Sequence, residues 1–336
     1  MKQNVERRLL SIWIVLIGAV ALAPLVAHSE YVRHLLIIAM LYAVVAASWD
    51  LSLGYAGIFN FAHVAFFAIG AYTGGILVKN LGVPPWVAVF AGGLMGSAAG
   101  LLVCLPVLRV KGIYVCLVTF AYSQLWLHVI RSQGEITGGS RGLVLIPAFS
   151  FAGYSFDQHN KLAYYYLVFF ILLISIWLLK VTVKSGFGLS IVALRDNEDY
   201  AVSRGVPLAR QRLITFAISA FFPGFVGAVY ALYTGIASAD LFGFGYLTEL
   251  LSMLILGGIA TIQGPVLGAF ILGFASEFLN DLGPIKYMLT ASITILILRF
   301  YPEGVVGVMR KLALLGKVEK TGNHSFNNKL LGEQKS

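Results

Sequence analysis

Charge is what this sequence has least of. Asp, Glu, Lys and Arg make up 12% of its 336 residues, against 59% hydrophobic residues. A soluble domain carries about a quarter charged residues, so a water-soluble fold of this length is excluded. Cysteine is almost absent. Cys104 and Cys116 both fall in apolar runs, which rules out a disulfide framework or a thiolate metal centre and makes them small core residues. No G-x-x-x-x-G-K-[ST] occurs, so the chain has no P-loop of its own. No H-E-x-x-H, G-x-S-x-G or clustered carboxylate accompanies His63 or His128. The catalytic and metal-ligating sets are therefore both empty. Alternating hydrophobicity is missing too, which excludes a membrane β-barrel.

What is present is a series of apolar runs of about 20 residues, the length that crosses a bilayer as a helix. The expected fold is all-α: a polytopic transmembrane bundle of about ten spans, with discontinuous helices and a cytoplasmic coupling helix. The spans are read at roughly 9–28, 34–53, 56–78, 86–108, 112–130, 162–183, 212–234, 246–262, 264–281 and 286–302. Arg7 and Arg8 before the first run resemble a signal peptide. That run is long and lacks a small-residue cleavage site, so it reads as a retained span. The organisation is then a cytoplasmic N-terminus (1–8), a membrane domain (9–302) with an external loop (131–161) and a cytoplasmic loop (184–212), and a polar tail (303–336) with little expected order.

The net charge of +9 supplies the orientation. With the N-terminus inside, only Arg33, Lys79, Arg131, Arg141, Lys161 and Lys286 fall outside; the other 18 of the 24 Lys and Arg fall inside, as cytoplasmic loops require.

Within the cytoplasmic loop, glycines at 186, 188 and 205 and Pro207 bracket a helix expected over Leu189–Arg204. Leu189, Val192, Ala193 and Ala201 share its apolar face, and Arg195, Asp196 and Asp199 share the other. Arg195 and Asp199 stand at i,i+4 spacing for an ion pair. Gly205 is the expected helix terminator, with positive φ. This segment is either a solvated loop or a docking helix for a soluble partner.

Two stretches carry polar or breaking residues into spans. In GYAGIFNFAHVAFFAIGAYTGGIL, from Gly54, Asn60 and His63 enter an apolar helix, and Gly70 and Gly74 form a G-x-x-x-G for close packing. His63 either supports packing or lines a path. In the stretch from Thr248 to Ala275, Gly257, Gly258, Gly264 and Pro265 interrupt the run, a broken helix of the kind that surrounds transport paths. Gly264, Gly268 and Gly273 again favour close approach. Glu249 and Glu277 stand within or near spans, as interfacial carboxylates or as functional groups. The external TGGSRGL (Thr137–Leu143) has nest-forming glycines, but no strand precedes it, and a structured cap is expected rather than a nucleotide site.

At these motifs the chain resembles a known family, the LivM-type membrane permease subunits of ABC importers for branched-chain amino acids. The matching pieces are LGYAGIFNFAHVAFFAIGAYTG from Leu53, KGIYVCLVTFAYSQL from Lys111, TGGSRGL, GFGLSIVALRDNEDYAVSRGV from Gly186, LILGGIATIQGPVLGAFIL from Leu254, and RFYPEGVVG from Arg299. The resemblance implies a subunit with no chemistry of its own and no bound cofactor, in the plasma (inner) membrane of a prokaryote. Its partners would be a second related permease of the LivH type, two cytoplasmic ATPase subunits of the LivG/LivF type that use ATP and Mg, and an extracytoplasmic substrate-binding protein. Membrane lipid would surround it, and no nucleic acid is implied. Asp199–Gly205 looks like an E-A-A-x-x-x-G coupling loop, with Asp199 for Glu, Tyr200 for Ala, and Ala201 and Gly205 matching. The implied coupling set is Gly188, Arg195, Asp196, Asn197, Asp199, Ala201 and Gly205, and the implied path residues are Asn60, His63, Gly257 and Gly258. Leu, Ile and Val are the implied substrates; urea, short amides or aromatic acids suit the same architecture. A secondary transporter is the competing class, although no Asp/Glu/His relay is evident to couple protons.

Overall fold

A computed structural model describes residues 13, 15–24, 29–151, 154–156, 161–279, 283, 285–300 and 304–307. The expected N-terminal segment 1–8 and nearly all of the tail lie outside them. Among the described residues the fold is helical. Six helices are long and apolar enough to cross a membrane: α2 (Glu30–Asp50, extended by a π turn to Tyr55), α3 (His63–Leu81), α4 (Pro85–Val107), α5 (Ile113–Ser132), α7 (Lys161–Lys184) and α10 (Leu208–Thr234). The shorter apolar helices are α1 (Val15–Pro24), α11 (Phe244–Gly257), α12 (Gln263–Phe278) and α13 (Ile285–Phe300). Short polar helices α6 (Gly134–Thr137), α8 (Gly186–Asp196) and α9 (Glu198–Ser203) lie between them. The described residues depart from an all-α fold in a pair of two-residue strands, Ser150–Phe151 with Tyr154–Ser155.

Centre and periphery follow from burial. In α2, 94% of the most apolar window is enclosed by the chain, against 28% in α5 and α7. Tyr164 and Tyr165 of α7 are nevertheless fully buried; the Tyr165 hydroxyl donates to the Val20 carbonyl and so ties α7 to α1. Apolar side chains gain little by leaving lipid for one another, so helices associate where small residues let backbones touch. That is how α10 lies across α3 and α4. A Cβ on Gly70 would sit 2.0 Å from the Gly224 carbonyl oxygen, one on Gly227 2.0 Å from that of Phe67, and one on Gly96 2.6 Å from that of Ala220. The expected Gly70/Gly74 contact is therefore real, with Gly74 set against Ala228. Gly264 and Gly268 press on the carbonyls of Gly257 and Met253 and join α12 to α11. Gly273 makes only ordinary contact with Ala39, so the close-approach reading fails there.

Two expected spans are shorter than their apolar runs. The third, read from 56, starts as a helix only at His63; residues 56–62 are irregular, with Gly57 at φ +68°. The eighth stops at Gly257, because Gly258 takes φ 114°, ψ 119°. At one end of the bundle, the loop expected as a cap folds back on the helices. Leu143 pairs with Ala237, Lys79 Nζ donates to the Val144 carbonyl, and Gly142 abuts the Ala237 carbonyl. Gly138 and Gly142 of TGGSRGL thus allow tight backbone packing, a Cβ on either falling 2.0 and 2.4 Å from a carbonyl oxygen.

Candidate functional site

The opposite end carries α8 and α9. The chain turns from α7 into α8 at Ser185, whose side chain accepts from the Gly188 N–H. Gly188 is required there, since a Cβ would sit 2.0 Å from the Val183 carbonyl oxygen. The single expected helix is in fact two. Asn197, at φ −157°, ψ 100°, ends α8 and starts α9, its Oδ1 accepting from Tyr200 N at 3.0 Å. An Asn side chain that satisfies a free helix N–H competes with helix continuation. Gly205 ends α9 as expected, at φ +89°. The Val206 N–H bonds to the Ala201 carbonyl and the Gly205 N–H to that of Val202, the paired bonds of a Schellman terminus.

The faces also differ from expectation. Gly188, Ile191, Leu194 and Ala201 are the buried positions. Leu189 is 69% exposed, and Ala193 is exposed as well. Residue type alone assigned Leu189 to the core, but the inward face is set by where α8 meets the bundle. Leu189 is therefore open, as are Tyr200 (59%) and Val202 (45%) on α9, where Asp199 is exposed too and the Arg204 guanidinium lies over the Tyr200 ring.

The expected Arg195–Asp199 pair does not form. Arg195 Nε and Nη2 both donate to Asp196 Oδ1, at 3.0 and 2.8 Å, while Nη1 donates to the Gly54 carbonyl at 2.8 Å. The break at Asn197 takes Asp199 off the α8 face, and the aliphatic stem of Arg195 passes over Gly57. Asp196 stays largely exposed. Glu198, absent from the sequence-based set, is the better ion-pair centre. It accepts from Lys111 at 2.7 Å and Arg212 at 2.8 Å, tying α9 to the α4–α5 link and to α10. The Lys111 hydrogen bond, with Arg212 beside it, holds the Glu198 carboxyl below the usual carboxylate range; the same bond raises Lys111. A polar cavity of about 270 Å³ lies here, lined by Gly57, Lys111, Arg195, Glu198, Gln211 and Arg212 among others.

Next to it lies a residue that sequence reasoning passed over. Asp50, fully buried at the end of α2, accepts from the N–H groups of Ala260, Thr261 and Ile262 at 2.7, 2.9 and 2.8 Å. The signal was available: a lone carboxylate inside an apolar run marks function by default, but the span read at 34–53 ran over it.

Asn60 and His63 come together as their spacing suggests. Asn60 Oδ1 accepts from Ala62 N, so its Nδ2 donates to His63 Nδ1 at 3.2 Å. The ring proton then resides on Nε2, which is buried without a hydrogen-bond partner beside the Ser219 backbone. The imidazole stacks on Trp49 at 5.1 Å and 6°. Both residues are fully enclosed by this chain and support the packing of α2, α3 and α10. Gly257 and Gly258 are likewise buried, against Gly264 and Gly304. Asn60 and His63 thus stand at the packing of α2, α3 and α10, and Gly257 and Gly258 at that of α11 and α12. Glu249 is buried on α11 and faces a cavity of about 140 Å³ with His34, Tyr42, Tyr246 and Lys286. Glu277 near the end of α12 accepts from the Tyr31 hydroxyl. Among the described residues no group of His, Cys, Asp and Glu is arranged to hold a metal.

Apolar helices joined through glycine contacts, with polar elements at their ends, define a multi-pass α-helical membrane protein. The chain belongs to the permease family of branched-chain amino acid transport systems, whose model matches residues 31–298. It is 28% identical over 292 residues to the high-affinity branched-chain amino acid permease LivM of Escherichia coli K12, covering 81% of this chain and 69% of that protein. A probable branched-chain amino acid permease LivH of Methanocaldococcus jannaschii is 24% identical over 74% of this chain and 83% of its own length. The D-allose permease AlsC of E. coli K12 is 28% identical over 72% and 70%. No solved structure gives a significant match.

Proposed function

We propose that this chain is the membrane-spanning permease subunit of an ATP-driven importer for Leu, Ile and Val, oriented with ten spans and both termini in the cytoplasm of a prokaryotic plasma membrane. The observation that carries this reading is the outward face of α8–α9. Leu189, Tyr200 and Val202 are open apolar groups rimmed by Asp199 and Arg204. They stand on a short element braced from behind by Glu198, Lys111 and Arg212. Such a face suits a groove on a soluble ATPase, and the chain itself has no P-loop.

The coupling set is then Gly188, Asn197 and Gly205, which shape the element; Ala201, which anchors it; Asp196 and Asp199, which face the partner; and Arg195, which faces the membrane domain. ATP and Mg are used by the partner ATPases. A second LivH-type permease completes the membrane core, and an extracytoplasmic binding protein delivers substrate. Kinship with LivM supports the amino-acid reading, while the allose permease among the relatives marks substrate as the variable part of this architecture.

The test is uptake of radiolabelled leucine by cells lacking this chain and its restoration by the chain expressed in trans, with urea, short amides and aromatic acids as competitors. Leucine uptake unaffected by loss of the chain would sink the amino-acid assignment. Uptake that persists after ATP depletion would sink the ATP-driven one.

A further inference from the structure

Three segments that are distant in sequence meet at one point below α2. Asp50 takes three N–H bonds from Ala260, Thr261 and Ile262, the link between α11 and α12. Gly54, in the π turn that follows Asp50, is wedged between them: a Cβ there would lie 2.1 Å from Asp50 Oδ1 and 2.5 Å from Ala260 N. On its other side, the Gly54 carbonyl accepts from Arg195 of α8 at 2.8 Å. Gly57, at φ +68°, lets the chain pass directly under the Arg195 side chain, whose Cγ would be 2.6 Å from a Cβ on it.

The link held by Asp50 is under backbone strain. Ala260 and Ile262 stand at φ 60° and 51°, a region that non-glycine residues rarely occupy and that persists only where surroundings impose it. Thr261 adds its own clasp, donating to the Gly258 carbonyl and accepting from Gly264 N. A buried carboxylate is tolerated only when its oxygens are satisfied, and here that satisfaction and the strained geometry are one arrangement. A simple helix cap needs neither the π turn nor an arginine from another element. π turns in helices recur at functional positions.

We propose that Asp50 is a positioning residue that transmits movement of α8 to the α11–α12 link: displacement of α8 draws Arg195 and Gly54, loosens the π turn, and lets the Ala260–Ile262 segment leave the carboxylate and relax. The inference rests on α8–α9 being the ATPase-docking element. It gives a packed core the discrete, two-state joint that long-range coupling requires.

The experiment uses the intact permease–ATPase complex in nanodiscs. Ile259, exposed and outside the clasp, is replaced by Cys after Cys104→Ala and Cys116→Ala, and its maleimide labelling rate is compared with and without a trapped ATP analogue. The parent complex is expected to show a nucleotide-dependent change of several-fold. Asp50→Asn removes carboxylate acceptor capacity at the same size, and Arg195→Gln leaves all three N–H bonds to Asp50 in place. Both should abolish the change while the ATPase still co-purifies, and Asp50→Glu should restore part of it. Persistence of the nucleotide response in both Asp50→Asn and Arg195→Gln overturns the proposal; labelling raised equally in both states, with the response kept, marks Asp50 as a structural cap and overturns it too. A parent complex that fails to retain the ATPase overturns the docking reading itself, and the relay with it. Arg195→Gln distinguishes a relay from misfolding, because it touches none of the carboxylate's bonds.

Discussion

Arg195 Nη1 donates to the carbonyl oxygen of Gly54 at 2.8 Å, across a sequence separation of 141 residues. The bond ties α8 to the membrane domain through a side chain that stays partly exposed beside Asp196. The surface open to the proposed partner then comprises the exposed apolar side chains of Leu189, Tyr200 and Val202 together with the exposed Asp196.

That surface gives the first prediction. Leu189→Asp combined with Tyr200→Asp should leave the permease inserted, since neither side chain is buried. Apolar anchors dominate interface energy, so ATPase co-purification from detergent should fall at unchanged permease level. Undiminished capture of the ATPase would place the docking surface elsewhere.

Gly205→Val tests the end of α9. No atom lies within 4 Å of a Cβ at this position, so steric overlap is not the issue. Its φ is +89°, and a β-branched residue there is strained by about 1–3 kcal/mol. The last turn of α9 should fray, and ATP hydrolysis should stop responding to the loaded binding protein. Insertion, followed by blot, should be normal.

Glu198 gives a pH signature. Lys111 and Arg212 hold its carboxyl below the ordinary range, so its folded-state pKa is depressed. The bracing it provides is present above the unfolded carboxylate pKa and is lost as pH falls through the lower folded value. Glu198→Gln should therefore melt earlier than the parent near neutral pH, and the difference should close on acidification. A gap that widens in acid would contradict the assigned pairing.

Orientation is checked by single cysteines in a cysteine-free background. Cysteine at Asp199 should react with an impermeant maleimide only from the cytoplasmic side, and cysteine at Ser140 only from outside. Reaction of both from one side would refute the ten-span arrangement.

His63→Ala should lower transport while leaving substrate capture by the binding protein unchanged. The imidazole is fully buried against Trp49, and deleting a large buried ring costs about 3–5 kcal/mol in packing and cavity terms. The thermal midpoint of the purified chain should drop with the transport rate. A wild-type rate with normal expression would remove His63 from the transport argument.

The membrane class, the apolar runs and the Gly205 terminus were legible in the sequence, because each depends on local composition: length of apolar run, scarcity of charge, or one glycine's conformational freedom. The three-residue spacing of Asn60 and His63 could have announced their contact, but the sequence reading gave His63 only packing support or a path. What the tertiary structure alone decided are the long-range partners. Nothing local announces that Glu198 meets Lys111 and Arg212, or that Asp50 meets residues 260–262. The inward face of α8 was misread because its apolar positions were counted without knowing where α7 ends and which side meets Gly54. Residue periodicity predicts that a helix has two faces; only the packing of its neighbours determines which face is buried, and here glycine contacts that bring backbones together set that packing.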